Sequence, residues 1–205
     1  MDTIEKLIEI FKEFPGIGER QAKRFVYFLM AKNVSYIDNF LLLVKDLKKE
    51  VAQCEECFRF FLIKKQGEKT CEVCSGSHTD NSTLMILEKD SDLESVRKSR
   101  VYHGKYFVLG GLVPIVEKNT KSKVRIEELK KNLKKNFSKA GGEIILAFSL
   151  SPQGDHTDFY VRNELKDLAE SLDIKISSLG RGLSTGTELE YSDNETIKNA
   201  LKNRQ

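Results

Sequence analysis

Residues 84–87 read Leu84-Met85-Ile86-Leu87, and the same uninterrupted apolar run returns at Tyr106-Phe107-Val108-Leu109 and at Ile144-Ile145-Leu146-Ala147-Phe148. A strand with one wet face alternates apolar and polar residues, whereas a parallel strand covered on both faces is apolar throughout. Ile174-Lys175-Ile176 is a weaker fourth run. Between the runs, residues 91–98, 124–137 and 157–172 carry apolar side chains at helical spacing. Strands alternating with helices predict βαβ units on a mostly parallel sheet, an α/β domain over residues 80–178.

The chain on either side has a different pattern. Ile4, Leu7, Ile8 and Phe11 form one helical stripe, which Phe14-Pro15-Gly16-Ile17-Gly18 interrupts. Ala22, Phe25, Val26 and Leu29 form a second, and Ile37, Phe40, Leu41, Val44 and Leu47 a third. The segment 54–74 bears all four cysteines and too few apolar residues to build its own core. Beyond residue 179 come Gly180, Gly182, Gly186 and a short closing helix. The expected fold class is a multi-part α+β chain with a helical region (1–53), a cysteine module (54–76), the α/β domain (80–178) and a C-terminal segment (179–205).

Composition excludes several classes. With 40% hydrophobic and 32% charged residues, the 205-residue chain has apolar material for a core. No apolar run reaches the ~18–20 residues that cross a bilayer. The opening MDTIEKLIEIFKEF lacks the apolar centre of a secretory signal, so the expectation is a cytoplasmic protein with no membrane partner. The net charge of +3 conceals a division. Residues 118–139 hold nine Lys and Arg against Glu127 and Glu128, a local +7, which leaves −4 for the rest. In that segment Ile126, Leu129, Leu133 and Phe137 share one helical face, and Lys130, Lys131, Lys134 and Lys135 fall mainly on the other. Such a helix is either a solvated outer layer of the sheet or a second DNA-tracking surface.

Cys54-x2-Cys57 and Cys71-x2-Cys74, thirteen residues apart, carry the strongest chemical signal. Four cysteines are too few for a disulfide scaffold, and in a reducing compartment they point to metal or catalysis. Each C-x2-C turn aims two thiolates at one ion, and two turns close a tetrahedral Zn2+ site with no open position, hence a structural one. Four unrelated buried thiols would not show this paired spacing. A redox C-x2-C would open a helix after a strand, which neither pair does.

The Pro15-Gly16-Ile17-Gly18 turn joins two amphipathic helices. Paired glycines admit close backbone approach, and the next helix opens with free N–H groups suited to phosphate. Arg20, Lys23 and Arg24 follow on its first turns, with Arg20 and Arg24 four apart on one face. Contacts of this kind read DNA backbone rather than bases. An ordinary helical corner with a solvated basic face is the plainer alternative.

Taken in order, F-P-G-I-G-E-R-Q-A-K-R, the two cysteine pairs, L-M-I-L-E-K-D-S-D, Y-F-V-L-G-G and R-G-L-S-T-G-T-E-L-E-Y resemble the bacterial recombination mediator family RecR over nearly the whole chain. The resemblance implies a helix-hairpin-helix, a four-cysteine zinc finger, a Toprim domain and a Walker-B-like C-terminal segment. It implies ring-like dimers or tetramers that act with RecO, and with RecF, to place RecA on single-stranded gaps, without catalysis, in the bacterial cytoplasm at the nucleoid. Carried over by position, Gly16, Gly18, Arg20, Lys23 and Arg24 are DNA-binding residues, and Cys54, Cys57, Cys71 and Cys74 are zinc ligands. Glu88 is the Toprim acidic residue, and Asp155 lies in the partner-binding stretch. Two departures stand out. The loop between the cysteine pairs is longer than the family's, and the stretch ending V-E-G-E-A-T reads Pro152-Gln153-Gly154-Asp155-His156-Thr157, which weakens the expected RecO contact.

Catalytic Toprim domains hold Mg2+ with one Glu and an Asp-x-Asp pair. Here Glu88 stands, but Ser149 and Ser151 occupy the paired positions. A Mg2+-dependent nuclease or topoisomerase-like enzyme is therefore the lesser alternative. A zinc-stabilised adaptor without DNA affinity is another. His78, His103 and His156 show no metal or triad spacing, and the glycines at 180–186 lack the Gly-Lys-Ser/Thr ending of a phosphate loop.

Overall fold

The computed structural model describes residues 1–116, 124–137, 141–180, 182, 183, 186 and 188–202. The chain divides into two compact units, Met1–Ala52 and Gln53–Gln205.

The first unit is helical: α1 (Thr3–Lys12), α2 (Glu19–Met30) and α3 (Val34–Glu50). Asp2 starts α1 through a reciprocal capping box, its carboxylate accepting the Glu5 amide at 2.8 Å while the Glu5 carboxylate accepts the Asp2 amide at 3.0 Å. Gly16, at φ +75°, turns the chain in the left-handed region where a side chain is disfavoured. The core is small: Ile8, Ala22 and Val26, ringed by Ile4, Leu7, Phe11 and Ile17. The Asn33 side chain accepts the Tyr36 amide at 2.9 Å and so starts α3. The expected apolar stripe lies on α3, yet no residue of α3 is buried. Leu41 is 50% and Leu47 61% exposed.

β1 (Val51–Gln53), which spans the boundary of the two units, and β2 (Phe60–Leu62) form a two-stranded sheet flanking the first cysteine pair, and in the second unit α4 (Glu72–Ser75) carries the second. The α/β part has four strands, β3 (Asp80–Leu87), β4 (Gly104–Val108), β5 (Gly142–Ala147) and β6 (Ile174–Ser178). They lie in the order β4-β3-β5-β6, all parallel, with Met85 opposite Tyr106 on one side and Ile145 on the other. Both faces are covered, as the continuous apolar runs require. Leu84, Ile86, Phe107, Ile144 and Leu146 pack with residues of α6 (Ile126–Asn136) and α7 (Pro152–Ser171), among them Leu129, Leu133, Val161 and Leu165. Met85, Leu87, Tyr106 and Val108 pack on the other face against Leu93 of α5 (Asp90–Ser99). A 3-10 turn at Leu189–Tyr191 precedes α8 (Asn194–Lys202). No described helix is long and apolar enough to cross a membrane.

The chain enters β4 on one side of β3 and β5 on the other. The crevice beyond the carboxyl ends of β3 and β5 is thus the topological switch point, where open α/β sheets place their ligands. It holds the loops that carry Glu88, Ser149 and Ser151.

Candidate functional site

The four thiols converge. Cys54 follows β1, Cys57 closes the next turn, Cys71 is the N-cap of α4 and Cys74 lies within it. The turn is fixed by the Phe58 amide donating to the Cys54 carbonyl at 3.0 Å and the Cys54 amide donating to the Arg59 carbonyl at 2.9 Å. The sulfurs all lie within 4.8 Å of one another, and Cys57 Sγ is 3.6 Å from Cys71 Sγ. A tetrahedral ion with metal–sulfur bonds near 2.3 Å needs sulfur–sulfur edges of about 3.8 Å, so the cage has the right size. All four cysteines are free of disulfides, and the Cys71 amide points at Cys54 Sγ from 3.4 Å. Hydrogen bonds with Cys57, then Cys71 and Cys74, pull the Cys54 thiol down, while its bond to Cys54 pushes the Cys57 thiol up. Thiols this close cannot all ionise unless a cation sits among them. The donor set fits a four-thiolate metal site.

The cysteine module has no core of its own, and the α/β part supplies one. Phe58 adopts a left-handed φ of 61°, which sets its ring edge-on to Phe107 at 5.4 Å, with the Arg125 guanidinium 5.2 Å from its centroid. The Cys57 carbonyl accepts the Val108 amide at 2.8 Å. Asp90 accepts the Phe60 amide at 2.7 Å, and the Glu56 carbonyl accepts Asn132 Nδ2 at 3.0 Å. Arg59, 6% exposed, lies 3.4 Å from Glu72 and 3.6 Å from Glu94. Sequence reading missed this set. Asp90 reads as a helix-start acid, and nothing local marks its partner thirty residues earlier.

The hairpin places its basic residues unequally. Gly18 is the N-cap of α2 and offers no side-chain hydrogen bond, so the first amides of α2 stay uncapped by any side chain. Arg20 and Arg24 are exposed, without an ion pair among the described residues. Lys23 is instead tied to Glu19, Nζ to Oε1 at 2.6 Å, and that hydrogen bond raises its pKa.

Lysines of α6 are likewise divided. Lys130 contacts Glu164 at 2.5 Å and Glu127 at 3.6 Å, and Lys135 pairs with Glu56 of the cysteine module. Lys131 and Lys134 remain exposed. Two of the four lysines of α6 are therefore used in holding neighbouring elements together. Lys118, Lys121, Lys123 and Lys139 lie outside the described residues, as do Arg181, Ser184, Thr185 and Thr187 of the C-terminal motif.

At the switch point, Glu88 follows β3 with its side chain 19% exposed and 3.8 Å from Lys89 Nζ. Ser149 and Ser151 share a hydrogen bond at 3.1 Å, and Ser151 Oγ accepts the Gly154 amide at 3.1 Å as the N-cap of α7. A cavity of about 140 Å³ lies beside them, lined in part by Ser149, Gly154, Asp158 and Ser178. Asp155 sits in the first turn of α7. Among the described residues, the four cysteines form the sole group of three or more ligating side chains.

Known proteins share this order of parts. The Toprim domain family matches residues 82–179, and the family described as RecR, C-terminal matches residues 182–205. Recombination protein RecR of Phocaeicola vulgatus is 33% identical over 201 residues, 98% of this chain and 92% of its own. That of Bacteroides thetaiotaomicron is 32% identical with the same coverage, and that of Ureaplasma urealyticum 30% identical over 98% of this chain and 94% of its own.

Proposed function

We propose, from the premise that this chain belongs to the RecR family of recombination proteins, that it is a non-enzymatic DNA-binding scaffold of recombinational repair. The observation that carries the DNA contact is the uncapped N-terminus of α2 flanked by exposed Arg20 and Arg24. Free N–H groups and two guanidinium groups make a phosphate-binding corner that reads no sequence. Gly16 and Gly18 allow the close approach, and Lys23 contributes less because Glu19 holds it. Gel retardation of gapped DNA is the test. The parent protein should shift it and Arg20→Ala/Arg24→Ala should not; equal retardation would remove the hairpin from the account.

The ion we assign to the four thiolates is Zn2+, since soft anionic sulfur in a closed tetrahedral cage suits it. No position is left for water, so the metal is structural. Cys54, Cys57, Cys71 and Cys74 are its ligands. Elemental analysis should return one zinc per chain.

No catalytic step is assigned to the switch point. Ser149 and Ser151 replace the paired carboxylates, and Ser151 is engaged in capping α7. Serine hydroxyls supply neither the charge nor the hard anionic oxygens that Mg2+ needs. DNA cleavage by the pure protein in Mg2+, abolished by Glu88→Gln, would overturn this.

Self-assembly into a dimer or tetramer ring is supported by α3, which presents Phe40, Leu41, Val44 and Leu47 on one helical face to solvent at 38–61% exposure. A continuous apolar face of this kind marks an interface. RecO, with RecF, is the proposed partner in loading RecA, through the surface that carries Glu88 and Asp155. Light scattering with and without gapped DNA and RecO tests both. A monomeric mass throughout would end the ring, and no added mass with RecO would end that partnership. The cytoplasm at the nucleoid is the corresponding place.

A further inference from the structure

At the opposite end of the sheet from the switch point, where Asp80 of β3 stands beside Gly104 of β4, a cavity of about 350 Å³ opens. Three segments wall it. The loop after α4 brings His78, the last turn of α5 and its cap bring Arg97 and Arg100, and the approach to β4 brings Tyr102 and His103. The backbone is drawn in tightly at Gly104, where an added Cβ would lie 2.1 Å from Thr83 Oγ1 and 2.3 Å from the Tyr102 hydroxyl.

The donors around this cavity are not all engaged. Arg97 is neutralised by Glu72 at 3.0 Å and Glu94 at 3.1 Å. Asp80 is turned to its own strand, accepting the Ser82 amide at 2.8 Å, the Ser82 hydroxyl at 2.7 Å and the Thr83 hydroxyl at 3.2 Å. Arg100, His78 and His103 are exposed, and their side chains make no hydrogen bond or ion pair among the described residues. Arg100 caps α5 in the left-handed conformation at φ 58°, a position that glycine or asparagine usually takes. A side chain with a Cβ is disfavoured in that conformation, and a bulky cation is nevertheless held there. The helix dipole accounts for Lys98 and Arg100 at the end of α5, but not for imidazoles delivered by two other segments.

Donors arriving from three directions suit a tetrahedral oxyanion better than a planar carboxylate, whose two oxygens share one plane. The Tyr102 ring, packed edge-on to Tyr106 at 5.1 Å, adds a flat wall for a base or sugar. We propose that this cavity binds a phosphate ester, the phosphodiester of a nucleic-acid strand, at a site separate from the hairpin. The proposal rests on the reading that the chain contacts nucleic acid. It adds a second point of contact on the α/β part.

Anisotropy of a labelled single-stranded oligonucleotide tests it, with the full metal-loaded chain across a salt series. Arg100→Asn/His103→Gln keeps the left-handed cap and removes the guanidinium charge and the imidazole. It should weaken binding several-fold and lower the salt slope by about 1, with losses that add to those of Arg20→Ala/Arg24→Ala. The imidazole NMR signals of His78 and His103 should shift as the strand is added to the parent. Unchanged affinity and slope in Arg100→Asn/His103→Gln, with the hairpin variant weakened, overturns the cavity and leaves the hairpin. A loss confined to the cavity variant supports the cavity and sinks the hairpin. If inorganic phosphate or a mononucleotide moves both imidazoles while strand affinity ignores the cavity variant, the site takes free phosphate and the strand assignment fails.

Discussion

The carbonyl of Cys57 accepts the amide of Val108 at 2.8 Å, joining the turn that carries a metal ligand to the end of a central strand. Val108 is 2% exposed and belongs to the layer that Leu93 completes. The metal turn is therefore built into the covering of the sheet, together with Phe58 on Phe107 and Asp90 on the Phe60 amide. A segment that buries only Cys54, Cys57, Cys71, Arg59 and Phe61 gains stability from the ion and from this docking together.

Removing the metal should loosen the α/β part as well as residues 54–74. Structural zinc in isolated fingers is worth about 10–16 kcal/mol, comparable to a whole domain's stability of about 5–15 kcal/mol. Hydrogen exchange after chelation should show the Val108 and Phe60 amides accelerated tenfold or more, with the α1 and α2 amides unmoved. Retained protection at both amides would make the module an independent appendage.

Phe58 pays a backbone penalty for its packing, so its two truncations should rank in an unusual order. An L-residue in the left-handed region costs about 1–2 kcal/mol, which glycine escapes. Phe58→Ala loses the ring and keeps the strain, and it should cost about 3 kcal/mol. Phe58→Gly should cost about 1 kcal/mol less than Phe58→Ala. Urea denaturation of both variants measures the difference, and glycine proving the worse of the two would contradict the strain.

Ser151 and Gly154 should differ sharply on substitution to alanine. Ser151→Ala removes one cap hydrogen bond and should cost about 1 kcal/mol. At Gly154 a Cβ would lie 1.9 Å from the Ser149 carbonyl oxygen, which is backbone and cannot rotate away. Gly154→Ala must therefore shift the start of α7 or the end of β5, at a cost of about 3 kcal/mol or more. Thermal melting should rank the two in that order.

What the sequence made legible follows from the range of each interaction. The buried parts of the strands were readable because two covered faces leave little room for polar positions; β3 to β6 contain the apolar runs, and β3 starts four residues earlier, at Asp80, on exposed polar residues. The helix expected at 157–172 begins at Pro152 instead. Its Pro-Gln-Gly opening resembles a turn, yet Ser151 as cap and proline at the first position start a helix there. Strands β1 and β2 are three residues each, too short to show a period. The cysteine cage was readable from spacing alone. Its docking residues were not, because Glu56 meets Lys135 seventy-nine residues away.

In the hairpin, the ion pair between Glu19 and Lys23 divides the three cations by function. Arg20→Ala/Arg24→Ala should lower the salt slope of single-strand binding by about 1.5, since each phosphate contact contributes about 0.7. Lys23→Ala should change it far less. Glu19→Gln frees Lys23 and removes a negative charge beside the helix N-terminus, so affinity should rise about two- to threefold. An equal effect of Lys23→Ala and Arg20→Ala would show that Glu19 does not restrain the lysine.

Lys130 should act as a brace between α6 and α7 rather than as a DNA contact. Its hydrogen bond with Glu164 raises its pKa above the ordinary 10.5, and both side chains are only about a quarter exposed. A lysine whose folded pKa is raised lends stability that is fully present below the unfolded value and is lost as pH climbs through the folded one. A double-mutant cycle of Lys130→Gln with Glu164→Gln should therefore give a coupling of about 1 kcal/mol at neutral pH, fading above pH 10.5. In the same preparations Lys130→Gln should leave the salt slope of DNA binding unchanged, while Lys131→Gln/Lys134→Gln, on the exposed face, reports whether α6 touches phosphate at all. A slope lowered by Lys130→Gln alone, with no coupling to Glu164, would return the lysine to the DNA and take the brace away.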